Sequence, residues 1–372
     1  MAPESQAVTT RPAPTATSNR LARLRSRFAD GAIDGILISE ASNRRYLSGF
    51  VGTAGFLLIT EKDAVLATDF RYVEQTASQA PGFRVERIRA GSDWLPKLAG
   101  DLGIRRLGFE ADNVTVAQLE RFREAIKKSE PAVELAGTNG ITLELRSIKD
   151  AGELELLQRS IAIADEAFDE VSERVRPGMT EAEVAWEIEL AVRGRGAEAV
   201  SFDTIVGAGE NGALPHHRAA ERAIAAGEPI VIDMGARYQG YCSDLTRTII
   251  LGRPDAKFRR IYDTVLGAQL TAIETLAAGM TGADCDRLAR TVIETAGHGE
   301  EFGHSLGHGV GLDVHESPGV GPTSKNVLED GMVFTVEPGI YLSGWGGVRI
   351  EDVVVLEKGR ARVLSRARKL TP

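Results

Sequence analysis

Two stretches of this chain start alike and continue through the same order of parts. "GMTEAEVAWEIELAVRGRGAE" begins at Gly178, and "GMTGADCDRLARTVIETAGHGE" begins at Gly279. In each, a threonine is followed three residues later by an acid: Thr180 with Glu183, and Thr281 with Asp284. That is the spacing of a capping box, in which the two side chains satisfy each other's backbone N–H groups at a helix start. An apolar run of helical period follows in both. Each predicted helix leads into an extended, glycine-bearing segment with a Phe near its start, "SFDTIVGAGENGALPHH" from Ser201 and "EFGHSLGHGVGLDVHE" from Glu301. Each of those leads into a β-hairpin that carries two carboxylates. The same parts in the same order, twice, predict a duplicated half-domain.

The hairpins hold the chemistry. In "PIVIDMGARYQGYCSDLTRTIIL" a turn centred on Tyr238-Gln239 puts Asp233 directly opposite Asp244, with both side chains on one face. Like charges at such a spacing are destabilising, so a sheet keeps them only with a cation or a shared proton. In "DGMVFTVEPGIYLSGWGGVRIEDVVVLE", Glu337 ends an apolar strand and Glu351 lies in the returning strand, with Arg349 two residues earlier on the same face. If the halves are duplicated, the two hairpins face each other and offer four carboxylates to one point. With one imidazole added, such an oxygen-rich set suits Mn²⁺, Co²⁺ or Zn²⁺ rather than Cu²⁺ or an iron–sulfur centre. Four negative charges match two divalent cations. Two such ions about 3.5–4 Å apart activate a bridging water and stabilise an oxyanion, which implies hydrolysis.

The segment from Glu301 holds three of the six histidines, His304, His308 and His315. Their spacing does not fit the i, i+4 pair of a helical zinc site. "GAGENG" at Gly207–Gly212 fits a dinucleotide fingerprint, but "ALPHH" follows it and starts no helix, so that reading fails.

Composition sets the remaining bounds. The chain has 372 residues, enough for two domains or three. It is 43% hydrophobic and 26% charged, as soluble globular proteins are. A net charge of −9 and the lack of a basic run argue against nucleic acid as a partner. No apolar run approaches the roughly 20 residues of a membrane helix. Two cysteines, Cys242 and Cys285, suggest no disulfide framework and point to the cytoplasm. Residues 1–17, rich in Pro, Ala, Ser and Thr, read as a disordered tail or a misassigned start. Residues 18–147 alternate helix and strand, with strands expected at Gly35–Ser39, Ala54–Thr60, Asp63–Asp69 and "RLGFEA". Helices are expected in the Asn19–Gly35 stretch and at "RYVEQTASQA", "DWLPKLAGDLG" and "TVAQLERFREAIKKS". Residues 148–372 form the second domain, opened by a long amphipathic helix from Asp150.

"VIDMGARYQGYCSDLTRT", "GHGVGLDVHE", "TVEPGIY" and "GVRIED" resemble, in order and spacing, the signatures of the pita-bread-fold metallopeptidases, the family of methionine aminopeptidase, aminopeptidase P and prolidase. "NRRYLSGFVGTAGFLLI" and "ATDFRY" resemble the creatinase-type N-terminal domain, which points to the aminopeptidase P and prolidase branch. The resemblance implies an α/β N-terminal domain plus an α+β C-terminal pita-bread domain with an internal pseudo-twofold repeat. It also implies a metal-ligand set of Asp233, Asp244, His308, Glu337 and Glu351, with Glu337 doubling as general base. By the same resemblance His216 contacts substrate and shuttles protons, His315 contacts the scissile carbonyl, and His304 lines the proline pocket. Arg349 and Tyr341 hold ligands in place. His217 and His298 match no role. The implied cofactor is two divalent ions, Mn²⁺ first, then Co²⁺ or Zn²⁺. The implied partners are proline-containing peptides and further copies of the chain, in a homodimer or homotetramer.

The expected activity is hydrolysis of the N-terminal Xaa-Pro bond through a metal-bridging hydroxide. Prolidases that resemble this chain place an arginine between the second histidine motif and "EPG", where it pairs with the free carboxylate of a dipeptide. Here "ESPGVGPTSKNVLEDGMVF" has only Lys325, without the bidentate fork of arginine. That favours an aminopeptidase P over an Xaa-Pro dipeptidase. A creatinase-like enzyme or a non-enzymatic binding module is a remote alternative, disfavoured by the five ligand-type residues.

Overall fold

The computed structural model describes residues 14–127 and 132–370. The chain divides into two units that meet between Arg146 and Ser147. The tail expected to be disordered over residues 1–17 lies, up to residue 13, outside the described residues. Its remaining residues, 14–17, are corrected: α1 (Pro14–Arg25) begins with them. Proline is tolerated at a first helical position because the N–H it lacks has no partner there.

The first unit is built on one six-stranded sheet. Its strands are β1 (Gly35–Ile38), β2 (Phe56–Thr60), β3 (Ala64–Thr68), β4 (Arg84–Arg87), β5 (Arg106–Glu110) and β6 (Glu134–Thr138), in the order β4-β3-β2-β1-β5-β6. Pairing is antiparallel within β1-β2-β3 and parallel elsewhere. The helices are α1, α2 (Phe28–Gly31), α3 (Ala41–Ser48), α4 (Val73–Gln79), α5 (Trp94–Asp101), α6 (Val116–Ile126) and α7 (Ile141–Ser147). The two edge strands and α3 are not among the elements read from the sequence. β4 reads Arg-Val-Glu-Arg with both end residues exposed, so it has no apolar run to find. α3 is polar and starts on Glu40, whose carboxylate accepts from the backbone N–H groups of Ser42 and Asn43.

In the second unit the duplication is visible bond by bond. Helices α8 (Ala151–Ser172) and α9 (Glu181–Gly194) serve the first half, α10 (Ala256–Thr275) and α11 (Gly282–Thr295) the second. Asp150–Glu153, Thr180–Glu183 and Thr281–Asp284 each form a full capping box. Gly178 N–H donates to Ile224 O (2.9 Å) and Ile224 N–H to Met179 O (2.8 Å); Gly279 N–H donates to Leu328 O (2.8 Å) and Leu328 N–H to Met280 O (2.9 Å). α10 was not read from the sequence, although Phe258, Ile261, Tyr262, Val265 and Ala268 give it a buried face of helical period.

The strands between them are β7 (Ala199–Val200), β8 (Ile205–Ala208), β9 (Pro229–Met234), β10 (Ala236–Tyr238), β11 (Tyr241–Cys242) and β12 (Leu245–Ile250), then β13 (Gly307–Gly309), β14 (Glu316–Val320), β15 (Val333–Val336), β16 (Gly339–Leu342), β17 (Gly346–Arg349), β18 (Asp352–Glu357) and β19 (Arg360–Val363). They form sheets β12-β9-β8, β11-β10-β7, β14-β13-β15-β18-β19 and β16-β17. This is the pita-bread architecture. Each hairpin changes sheet part-way: β9 gives way to β10 and β11 to β12, β15 to β16 and β17 to β18. No helix among the described residues is long and apolar enough to cross a membrane.

Candidate metal centre

All four candidate carboxylates sit where the hairpins change sheet. Asp233 is the next-to-last residue of β9, and Asp244 lies between β11 and β12. Glu337 follows β15, and Glu351 lies between β17 and β18 rather than inside a strand. At such breaks the backbone stops pairing with one sheet before joining the next, so a side chain can turn into the space between the halves.

The first hairpin's register differs from the expected one. Gln239 (φ 45°) and Gly240 (φ 78°) occupy the left-handed region, which makes them the two central residues of a primed turn. The turn is therefore one residue later than Tyr238-Gln239. Asp233 pairs with Thr246, not with Asp244. The shift moves the partner by two, so Asp244 keeps its face and becomes the diagonal neighbour.

Ligand atoms of Asp244, His308 and Glu351 lie within 4.8 Å of one another. His308 Nε2 is 3.6 Å from Asp244 Oδ2 and 3.3 Å from Glu337 Oε1. Its Nδ1, 3.1 Å from Gly309 O, donates to that carbonyl and leaves Nε2 facing the carboxylates, the arrangement that orients a ligating histidine. Asp233 is held by Arg349. Its Oδ2 accepts from Arg349 Nη2 at 2.5 Å, while its Oδ1 is buried with no partner. Glu351 is similar: Oε2 accepts from Thr246 Oγ1 at 2.6 Å, and Oε1 is buried with no partner.

The electrostatics follow from crowding acids out of water. Burial pushes Asp244 well above the usual carboxylate range, and the charges of Glu351 and Asp233 add to it. Burial and the charges of Glu337 and Asp233 do the same to Glu351. Burial also raises Asp233, against the pull of Arg349. Glu337 runs the other way. Burial would raise it, but the hydrogen bond and charge of His308 outweigh that and hold it low. His308 is raised in turn, burial being overcome by Glu337.

The surrounding residues form a chain of single-direction hydrogen bonds. Arg349, 4% exposed, donates to Asp233, to Thr246 Oγ1 (3.0 Å) and to Tyr341 OH (2.7 Å). Tyr341 OH lies 2.9 Å from His304 Nε2, and His304 Nδ1 lies 2.8 Å from Ser305 O. Because Ser305 O can only accept, Tyr341 donates to His304. Burial lowers the pKa of His304, which keeps it neutral in this role. Both of its nitrogens are therefore committed. Burial lifts the Tyr341 phenol to about 12.

His315 is exposed, its ring centroid 4.1 Å from that of His308. Its pKa is lowered by burial, then by the charge of His308 against the pull of Glu337, with a further lowering from His216. His216 is exposed. His217, read as roleless, places Nε2 2.8 Å from the buried Glu181 carboxylate. His298 lies 3.9 Å from Glu301. Cys242 is packed: its N–H donates to Gly311 O, and burial lifts its thiol to about 11.

Thr246 and Thr335 were missed by sequence reading. Thr335 Oγ1 donates to Glu337 Oε1 at 3.0 Å and accepts from His308 N–H. The signal was available: Thr335 lies two residues before Glu337 and Thr246 two after Asp244, the strand period. Lys149 was missed too. Its ammonium is 2.6 Å from the Glu316 carboxylate, and both side chains are 1–2% exposed.

Residues 155–358 match metallopeptidase family M24, and residues 20–148 match the creatinase/prolidase N-terminal domain. The chain belongs to family M24. An Xaa-Pro dipeptidase of Pyrococcus horikoshii is 38% identical over 340 residues, 91% of this chain and 94% of that protein. The solved structure of an Xaa-Pro dipeptidase from Bacillus anthracis superposes with a TM-score of 0.91 at 44% identity, covering 95% of this chain and 99% of that one. That of an X-Pro aminopeptidase from Thermotoga maritima gives 0.84 at 38% identity, covering 91% and 97%. The chain is thus a peptidase of a metal-dependent family, and the donor set fits a metal: two buried oxygens without partners face a cluster of crowded acids.

Proposed function

We propose that this chain is an Xaa-Pro dipeptidase that works with two divalent ions, Mn²⁺ first, then Co²⁺ or Zn²⁺. The observation that carries the metal reading is the pair of buried, partnerless oxygens, Asp233 Oδ1 and Glu351 Oε1. A buried polar atom without a partner costs about 1–3 kcal/mol, and bound cations would remove that cost.

Asp233, Asp244, His308, Glu337 and Glu351 would hold the ions. When bound, they would supply an acidified water and a Lewis acid for the scissile carbonyl. The chain's own groups do the rest. Glu337, which Thr335 and His308 hold through Oε1, would take the proton and pass it toward the leaving proline nitrogen. His315, neutral and exposed beside His308, donates to the carbonyl oxygen where charge develops. His216 approaches from the other half. Arg349 and Tyr341 fix Asp233. His304, with both nitrogens engaged, offers the proline a wall rather than a hydrogen bond.

Two of the three relatives described above are named dipeptidases, which supports that branch over the aminopeptidase P expected from the sequence. The second reading rests on the single cation between Glu316 and Glu337, the exposed Lys325. Turnover of Ala-Pro against Ala-Pro-Ala-Ala decides between them. A preference for the dipeptide is expected, and a preference for the tetrapeptide makes the chain an aminopeptidase.

A further inference from the structure

The two halves of the second unit match closely around the starts of α9 and α11. Glu181 N–H donates to Arg222 O (3.1 Å) and Ala182 N–H to Ala220 O (3.0 Å); Gly282 N–H donates to Asn326 O (2.8 Å) and Ala283 N–H to Ser324 O (3.2 Å). One side chain breaks the match. Where the first half has Glu181, the second has Gly282, and a Cβ there would meet Gly319 O at 2.2 Å.

The difference tracks what each half must hold. In the second half the segment before this ladder is β14, pinned by strand pairing to β13 across His308. In the first half the equivalent segment, residues 209–220, carries His216 and belongs to no described strand. Its anchor is the Glu181 carboxylate, which is fully buried. Oε1 accepts from Ala208 N–H (2.9 Å) and Asn211 Nδ2 (2.9 Å). Oε2 accepts from Ala220 N–H (3.2 Å) and stands 2.8 Å from His217 Nε2. One carboxylate therefore ties the start, the middle and the end of the loop. A carboxylate only accepts, so His217 Nε2 carries the proton. His217 turns inward, and its neighbour His216 is left facing out.

We propose that Glu181 and His217 are a positioning pair that sets the His216 imidazole at the metal centre. The assignment of a kinetic consequence rests on the peptidase reading above. His216 gives the loop its chemistry, and the pair gives it its place. A misplacement of about 1 Å at such a group costs on the order of 100-fold in rate.

The test is a double-mutant cycle on Ala-Pro hydrolysis with metal-loaded enzyme, alongside amide hydrogen exchange. His217→Ala should lower kcat about 10- to 100-fold with little change in KM. His217→Gln, which keeps a donor at Nε2, should restore most of it. In a His216→Ala background, His217→Ala should cost less than about 2-fold, because the pair acts through His216. Exchange should rise within residues 208–220 only. An equal loss in both backgrounds, an unchanged kcat, or exchange rising across the whole second unit overturns the proposal. If the wild type cleaves no Xaa-Pro peptide, the peptidase reading fails instead, and exchange at residues 208–220 alone then decides the pair.

Discussion

Lys149 and Glu316 offer the sharpest stability experiment. Their charges are 2.6 Å apart with side chains 1% and 2% exposed. At an effective dielectric of about 20, opposite charges at that distance attract by roughly 6 kcal/mol. Burying each ion costs several kcal/mol, so the pair as a whole contributes little. Removing one partner is different, because the other stays buried without its countercharge. Lys149→Met keeps the apolar stem and should cost about 3–5 kcal/mol. Glu316→Gln should cost less, since the glutamine amide still offers Lys149 an acceptor oxygen. The double variant should cost only about 1–2 kcal/mol, less than Lys149→Met alone and well below the sum of the two singles. Urea unfolding reads this in a Trp94→Phe background, which leaves Trp186 and Trp345 to report on the second unit alone. At an m-value of about 2–3 kcal/mol per molar, Lys149→Met should shift the midpoint down by about 1.5 M. Single variants within about 1 kcal/mol of wild type, or strict additivity, would refute the reasoning.

Other outcomes follow from the same physics. Burial raises Asp165 to about 6, against backbone hydrogen bonds from Arg366 and Ala367. The folded chain therefore holds a proton that the unfolded chain has lost, and this contribution to stability disappears as pH rises from about 4 through 6. Asp165→Asn should raise the Tm at pH 8 and leave it unchanged at pH 3.5, which calorimetry checks. Asp244 and Glu351 are raised without metal. The metal-free protein should thus lose stability as pH rises toward neutrality, and metal binding should release protons, seen as buffer-dependent heats in titration calorimetry. Glu351→Gln should raise the Tm of the metal-free protein while weakening metal binding. A Cβ at Gly311 would meet Glu316 Oε1 at 2.3 Å. Gly311→Ala should therefore displace the His315 loop and lower kcat more than it changes KM.

The site was more legible than its scaffold. Carboxylates in apolar strands are unusual enough to stand out one at a time, and the repeat of Gly-Met-Thr and its capping acid placed them in two matching halves. Register was harder. The turn at Gln239-Gly240 differs from its neighbour by one residue, and only the positive φ values reveal which pair makes it. Edge strands such as Arg84–Arg87 stay hidden because solvent on their outer side removes the apolar run that marks a strand. Glu181 and Lys149 stayed hidden for another reason. Each acts through a partner distant in sequence, and no local pattern records such a contact. His217 shows the cost: beside His216 it reads as a bystander, and only the buried carboxylate across from it gives it a task.

The proposed dependence of turnover on two metal ions held by the carboxylates of the two hairpins and His308 is directly testable. Protein stripped by a chelator should be inactive on Ala-Pro at neutral pH. Titrated with Mn²⁺, it should bind two ions per chain, and activity should return with their occupancy. Full turnover by the stripped protein, or activity restored without ions binding at Asp244, His308 and Glu351, would contradict it.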